Sequence, residues 1–210
     1  GAKHKNVFVG NFGDIGCFSF NGNKIITTGS GGMIVTNSLK LAKKIKFLSE
    51  QAKQPGINYI HKEVGYNYRM SNIHAAMGLA QLENIEYHIN KKTIIAKTYI
   101  KELSKIKGIS WINPVYSSKS SWWLFTILLN KKYIKTSLKN IQNELLNNKI
   151  ESRLIWQPMN LSSPYKNSLY IGENNSKKIY NRSLSLPCSV NLKEKDQYRV
   201  IYALKKILGV

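Results

Sequence analysis

The sequence predicts an α/β chain in two parts, and three observations carry that prediction. Glycines at Gly10, Gly13, Gly16, Gly22, Gly29, Gly31 and Gly32 punctuate short apolar runs, the pattern of short strands joined by tight turns. From Ser71 onward apolar residues recur at helical spacing over a long stretch. Beyond it, strand-like and helix-like pieces alternate in an α+β layout. A boundary inside the long helix, near Ile89 to Lys91, divides the chain into residues 1–90 and 91–210.

The elements follow in order. Strands are expected at 7–9, 17–20 and 33–35, where apolar residues sit between the glycines. A helix is expected over 38–52, with Ser38 as N-cap and Leu41, Ile45 and Leu48 on one face. Gln54-Pro55-Gly56 ends it, and a loop carrying Tyr59, His61, Tyr66, Asn67 and Tyr68 follows. The long helix is expected over 71–106, with a break at 87–90 where periodicity weakens and Gly108 as its C-terminal cap. Then come a strand within 122–129, an amphipathic helix at 137–147 and a strand at 151–156. A short helix at 176–181 and a terminal helix at 193–208 complete the chain. Trp122 and Trp123 are assigned to the core rather than to a base-stacking platform.

Composition narrows the function classes. With 210 residues, 42% hydrophobic and 20% charged, the chain is ordinary for a soluble globular protein and long enough to bury a core. No apolar run approaches the ~18 residues of a membrane span, and no signal peptide is visible. Cys17 and Cys188 lie far apart and match no metal or redox spacing, so a reducing, cytoplasmic setting is expected. The net charge of +21 would suit a nucleic-acid binder. The basic residues, however, are scattered in pairs such as Lys43-Lys44, Lys91-Lys92 and Lys205-Lys206, with no nucleic-acid-binding signature. A small anionic ligand is the expected partner, with no membrane and no nucleic acid.

The informative stretch is Gly13-Asp14-Ile15-Gly16-Cys17-Phe18-Ser19-Phe20-Asn21-Gly22-Asn23-Lys24, followed by Ile25-Ile26-Thr27-Thr28-Gly29-Ser30-Gly31-Gly32. A strand ends in a serine hydroxyl, a tight turn follows, and a lysine sits five residues after the serine. A lysine packed into such a loop is placed to attack an aldehyde. Ser19 and Thr28 offer hydroxyls to a phosphate, and the glycines let backbone approach a ligand closely.

This stretch resembles the Schiff-base segment of the DegT/DnrJ/StrS sugar aminotransferases. A second block, Gly65-Tyr66-Asn67-Tyr68-Arg69-Met70-Ser71-Asn72, is similar to the Gly-Tyr-Asn-Tyr-Arg motif that precedes a long helix in that family. The resemblance spans essentially the whole chain and is densest from Gly13 to about Glu86. It implies a pyridoxal-phosphate-dependent transferase of fold type I, aspartate-aminotransferase-like. Residues 1–90 would be the C-terminal part of the large cofactor domain and 91–210 the small α+β domain. By the same resemblance Lys24 carries pyridoxal 5'-phosphate, Ser19 binds its phosphate, and Asn67 reaches the phosphate in the neighbouring subunit of a homodimer.

A third region, Glu151-Ser152-Arg153-Leu154-Ile155-Trp156-Gln157-Pro158-Met159-Asn160, resembles a segment in which relatives read Thr-Arg-Pro-Leu-Trp and then Met-His. Arg153 is a candidate for a substrate phosphate or carboxylate, and Asn160 stands where relatives carry the histidine. His61 and Arg69 complete the substrate candidates. The unbroken Asn-Gly-Asn-Lys-Ile-Ile-Thr-Thr run implies amination of a UDP-linked 4-keto-6-deoxy-N-acetylhexosamine, with glutamate as donor. In the family the carboxylate serving the pyridinium nitrogen precedes the residues matched here, so the 210 residues alone are expected to be inactive. A relative working as a sugar dehydratase or regulator, and a basic nucleic-acid module, are the alternatives; the presence of Lys24 favours an aminotransferase.

Overall fold

A computed structural model describes residues 1–210. The chain divides into two compact units. One comprises residues 1–89 with 115–121, and the other 90–114 with 122–210.

In the first unit, β1 (Lys3–His4) pairs antiparallel with β2 (Val7–Phe8) and with β6 (Ser118–Lys119). The hairpin β3 (Gly16–Ser19) and β4 (Gly32–Val35) pairs Gly16 with Val35 and Ser19 with Gly32. Glycine is required at position 32, because a Cβ there would stand 2.5 Å from the Phe18 carbonyl oxygen. Helix α1 (Leu39–Ser49) is capped by the Ser38 hydroxyl, which accepts from Leu41 N at 3.3 Å. It stops before the expected 52 because Gln51 and Ala52 adopt positive φ, of 66° and 51°, incompatible with a helix.

The expected single long helix is two, α2 (Asn72–Leu82) and α3 (Ile85–Leu103), and the break falls at 83–84 rather than at 87–90. Asn84 explains the position. Its side-chain amide donates to the Ala80 carbonyl at 2.9 Å, offering that carbonyl a partner outside the regular ladder. Gly108 is not the helix cap either. With φ of 97° it lies in the turn leading to β5 (Ile109–Trp111), and a Cβ there would stand 2.7 Å from Tyr133 Cβ.

The second unit holds the hydrophobic core. A four-stranded antiparallel sheet runs in the order β5, β7 (Phe125–Leu129), β9 (Ser183–Leu186), β8 (Arg153–Leu154). Strand β9, which no sequence signal announced, is buried along its length. Phe125, Ile127 and Leu129 alternate inward on β7 and share one core with Tyr99 and Leu103 of α3. Helices α4 (Leu138–Asn147) and α6 (Glu194–Leu208) add Ile141, Leu145, Val200 and Leu204 to it. Each such fully buried side chain contributes about 1.5–3 kcal/mol. Tyr99 stacks on Phe125 at 4.9 Å and donates its hydroxyl to Pro187 O at 2.8 Å; burial pushes its phenol pKa up. The short helix α5 (Asn175–Tyr180) precedes β9. No helix is long and apolar enough to cross a membrane.

Candidate functional site

The loop joining β3 to β4 carries Lys24, and its backbone is organised around Phe20. The Phe20 carbonyl accepts from Thr28 N and from the Thr27 hydroxyl, each at 3.0 Å. Phe20 N donates to Gly31 O at 3.0 Å, extending the hairpin ladder past Ser19. A tight turn follows, in which Lys24 N donates to Asn21 O at 3.0 Å and Asn21 Oδ1 accepts from Gly22 N at 2.9 Å. Lys24 is half-buried, whereas Ser19 at the end of β3 is exposed. Ser19 Oγ accepts from Asn21 N at 3.4 Å, which leaves its hydroxyl proton to give elsewhere.

Helix α2 holds the far side of this loop. Gln81 accepts from Thr27 N at 3.0 Å and donates its amide back to Thr27 O. One turn earlier, Gly78 lies against Thr28, and a Cβ at 78 would stand 2.9 Å from Thr28 Cγ2. Thr28 is buried, with its hydroxyl turned to Ser30 O, so it lines the packing rather than offering a hydroxyl outward. That corrects the expectation that Thr28 supplies a phosphate contact. Gly31 adopts φ of 108°, and the Met70 methyl sits 3.0 Å from the place its Cβ would take. Met70 belongs to the Asn67-bearing block, so the two sequence motifs meet at Gly31 and Met70. Sequence reasoning missed Gln81 and Gly78. A glycine within a helix was the available signal, since it costs about 1 kcal/mol there unless packing requires it.

Asn67, His61 and Arg69 gather at the C-terminal end of α1. Tyr66 N donates to Leu48 O at 2.7 Å and Tyr68 N to Ser49 O at 3.1 Å, holding residues 66–68 against the helix end. Asn67 is exposed and pairs through its backbone with Glu50. Arg69 forms a 3.1 Å ion pair with Glu50, and His61 Nδ1 lies 2.8 Å from Gln51 O. Arg153 and Asn160 belong to the second unit. Arg153 is exposed and engages Glu151 through Nε at 3.0 Å and Nη2 at 2.8 Å. Asn160 is half-buried in the 3₁₀ turn Met159–Leu161.

The donor set on the β3–β4 loop fits a group with an aldehyde and a phosphate, the kind of cofactor the sequence resemblance implies. A half-buried lysine lies in the turn that follows a serine hydroxyl with a proton to donate at the end of β3, and α2 braces the loop beyond. Gly29 holds a φ of 79° with nothing within 4 Å of the place its Cβ would take, which leaves backbone open for close approach.

The first unit covers little of its apolar surface. Ala52 and Ile89 are its only buried apolar residues. Phe18, Met33 and Ile34 on the hairpin are exposed, as are Ile73, Met77, Leu79 and Leu82 on α2.

Comparison with known proteins places this geometry. The pattern of the DegT/DnrJ/EryC1/StrS aminotransferase family matches residues 1–205. Over 209 residues the chain is 35% identical to the GDP-perosamine synthase of Caulobacter vibrioides, covering 99% of this chain and 56% of that protein. It is 33% identical to a UDP-4-amino-4,6-dideoxy-N-acetyl-beta-L-altrosamine transaminase of Campylobacter jejuni, with the same shares covered. Among solved structures, Helicobacter pylori PseC, an aminotransferase involved in the biosynthesis of pseudoaminic acid, matches with a TM-score of 0.90 at 26% identity. That match covers 99% of this chain and 57% of PseC, and it bears out the expected fold class, part of a fold type I transferase. The chain spans about half the length of the curated relatives it matches.

Proposed function

The chain belongs to the DegT/DnrJ/EryC1/StrS aminotransferase family, and from that premise we propose that it supplies the lysine-bearing part of a pyridoxal-phosphate-dependent sugar aminotransferase. The reaction moves an amino group from an amino acid, glutamate, to the keto carbon of a nucleotide-linked sugar, UDP-4-keto-6-deoxy-N-acetylhexosamine. The observation that carries this reading is the hairpin in which Ser19 ends β3, Lys24 lies in the turn that follows, and the loop is braced on α2 through Thr27 and Gln81.

When bound, the cofactor supplies an electron sink for the carbon that gains or loses nitrogen. The chain's own residues do the rest. Lys24 Nζ holds the cofactor and moves a proton at the reacting carbon. Ser19 Oγ donates to the cofactor phosphate, and Asn67 does so for the second copy in a homodimer. Arg153, with a planar guanidinium suited to a phosphate or carboxylate, is a substrate contact of the second unit together with Asn160, and His61 and Arg69 are those of the first. The basic surplus of the chain favours a doubly phosphorylated ligand. The apolar hairpin and α2 faces support an active assembly in which further protein covers them, the second copy included.

The experiment is incubation with pyridoxal phosphate, borohydride reduction and peptide mapping. A pyridoxyl label on Lys24 alone supports the reading. A colourless protein, or label scattered over surface lysines, removes it.

A further inference from the structure

Trp156 is 65% exposed, an unusual position for the largest apolar side chain. Its ring is not loose. It stacks on the Trp123 indole, with centroids 5.6 Å apart and planes at 27°. Trp156 follows β8, which pairs with β9, and Pro158 stiffens the chain two residues later.

Trp123 is held from behind. Its carbonyl accepts from Cys188 Sγ at 3.4 Å, and the Cys188 carbonyl accepts from the buried Lys92 Nζ at 2.7 Å. The neighbouring Trp122 takes a left-handed backbone, φ 50°, and packs on the core beside Phe125. Adjacent tryptophans therefore do different jobs: Trp122 fills the core as the sequence predicted, and Trp123 buttresses an exposed ring. The outcome for Trp123 departs from the sequence expectation, because its stacking partner lies 33 residues away on another strand's exit.

A rigid indole with an exposed face suits a flat, polarisable ring, since stacking rewards area and needs no base-specific hydrogen bond. Three residues before Trp156, on β8, Arg153 presents a guanidinium to solvent with its fork already ordered by Glu151. We propose that Trp156, backed by Trp123, is the platform on which the nucleobase of a nucleoside diphosphate stacks. This rests on the proposed use of a nucleotide-linked sugar and adds to it the residue that receives the base.

The test is titration of the 210-residue chain with UDP, GDP and inorganic pyrophosphate. Tryptophan fluorescence and equilibrium dialysis serve as independent readouts. Saturable binding of UDP or GDP is expected, weakened about tenfold by Trp156→Ala and nearly restored by Trp156→Phe, the size of one lost stack. Pyrophosphate, which has no base, is expected to bind wild type and Trp156→Ala alike. Equal nucleotide affinity in wild type and Trp156→Ala overturns the platform and leaves the aminotransferase reading standing. Absence of nucleotide binding by the wild-type chain also overturns it, and the borohydride label on Lys24 then reports separately whether the cofactor reading survives.

Discussion

Thr27 and Gln81, 54 residues apart, exchange hydrogen bonds: Thr27 N donates to Gln81 Oε1, and the Gln81 amide donates back to Thr27 O. The pair ties the lysine-bearing loop to α2 through backbone atoms, so it fixes the loop's position independently of the side chain at 27. Gln81→Ala leaves both Thr27 groups without that partner. Two such bonds at about 0.5–1.5 kcal/mol each predict a loss of about 1–3 kcal/mol, read as a lower urea midpoint. The pyridoxyl label at Lys24 should fall with it, and Gln81→Glu, which keeps the acceptor and loses the donor, should fall between.

Lys24→Ala should behave differently. Its turn is closed by backbone bonds from Lys24 N and Thr28 N, which the substitution retains. The expected outcome is complete loss of borohydride-fixed cofactor with the unfolding free energy from urea titration changed by less than about 0.5 kcal/mol, as for other half-exposed positions.

Gly78 tests the close approach of α2 to the loop. Thr28 cannot yield easily, because it is buried and its hydroxyl is engaged with Ser30 O. Gly78→Val should therefore cost about 1–3 kcal/mol through overpacking, despite replacing a helical glycine. Thermal unfolding together with Lys24 labelling checks it: both should decline, whereas a more stable variant with unchanged labelling would refute the packing argument.

In the second unit, hydrogen bonds from Lys105 and Lys205 hold the Glu102 carboxyl below its ordinary pKa. A carboxyl depressed in the folded state adds stability that is present above the unfolded value, about 4.3, and is lost as pH falls through the folded one. The melting temperature of wild type should exceed that of Glu102→Gln at neutral pH. The gap should close on acidification below about pH 4. A gap that persists unchanged at pH 3 would assign the effect to packing instead.

Much of the candidate site was legible because its chemistry is local. Ser19, the tight turn and Lys24 sit within one short segment, so their spacing survives any tertiary arrangement. The same holds for the Ser38 cap and for the strand within 122–129. Thr28 was misread for a related reason: composition reveals a hydroxyl, but only packing against Gly78 turns that side chain inward. The helix break escaped because hydrophobic periodicity is blind to a single side-chain amide, here Asn84 on the Ala80 carbonyl.

By itself the sequence determined the family, the fold class and the loop that bears the amine, since each is written in contiguous residues whose types and spacing carry the chemistry. Tertiary structure decided what braces that loop and which aromatic rings remain exposed. Gln81 reaches Thr27, Met70 reaches Gly31, and Trp156 reaches Trp123 only after helices and strands have packed. Such pairings depend on the three-dimensional path of the backbone, and no periodicity along the chain encodes which distant residue will arrive beside another.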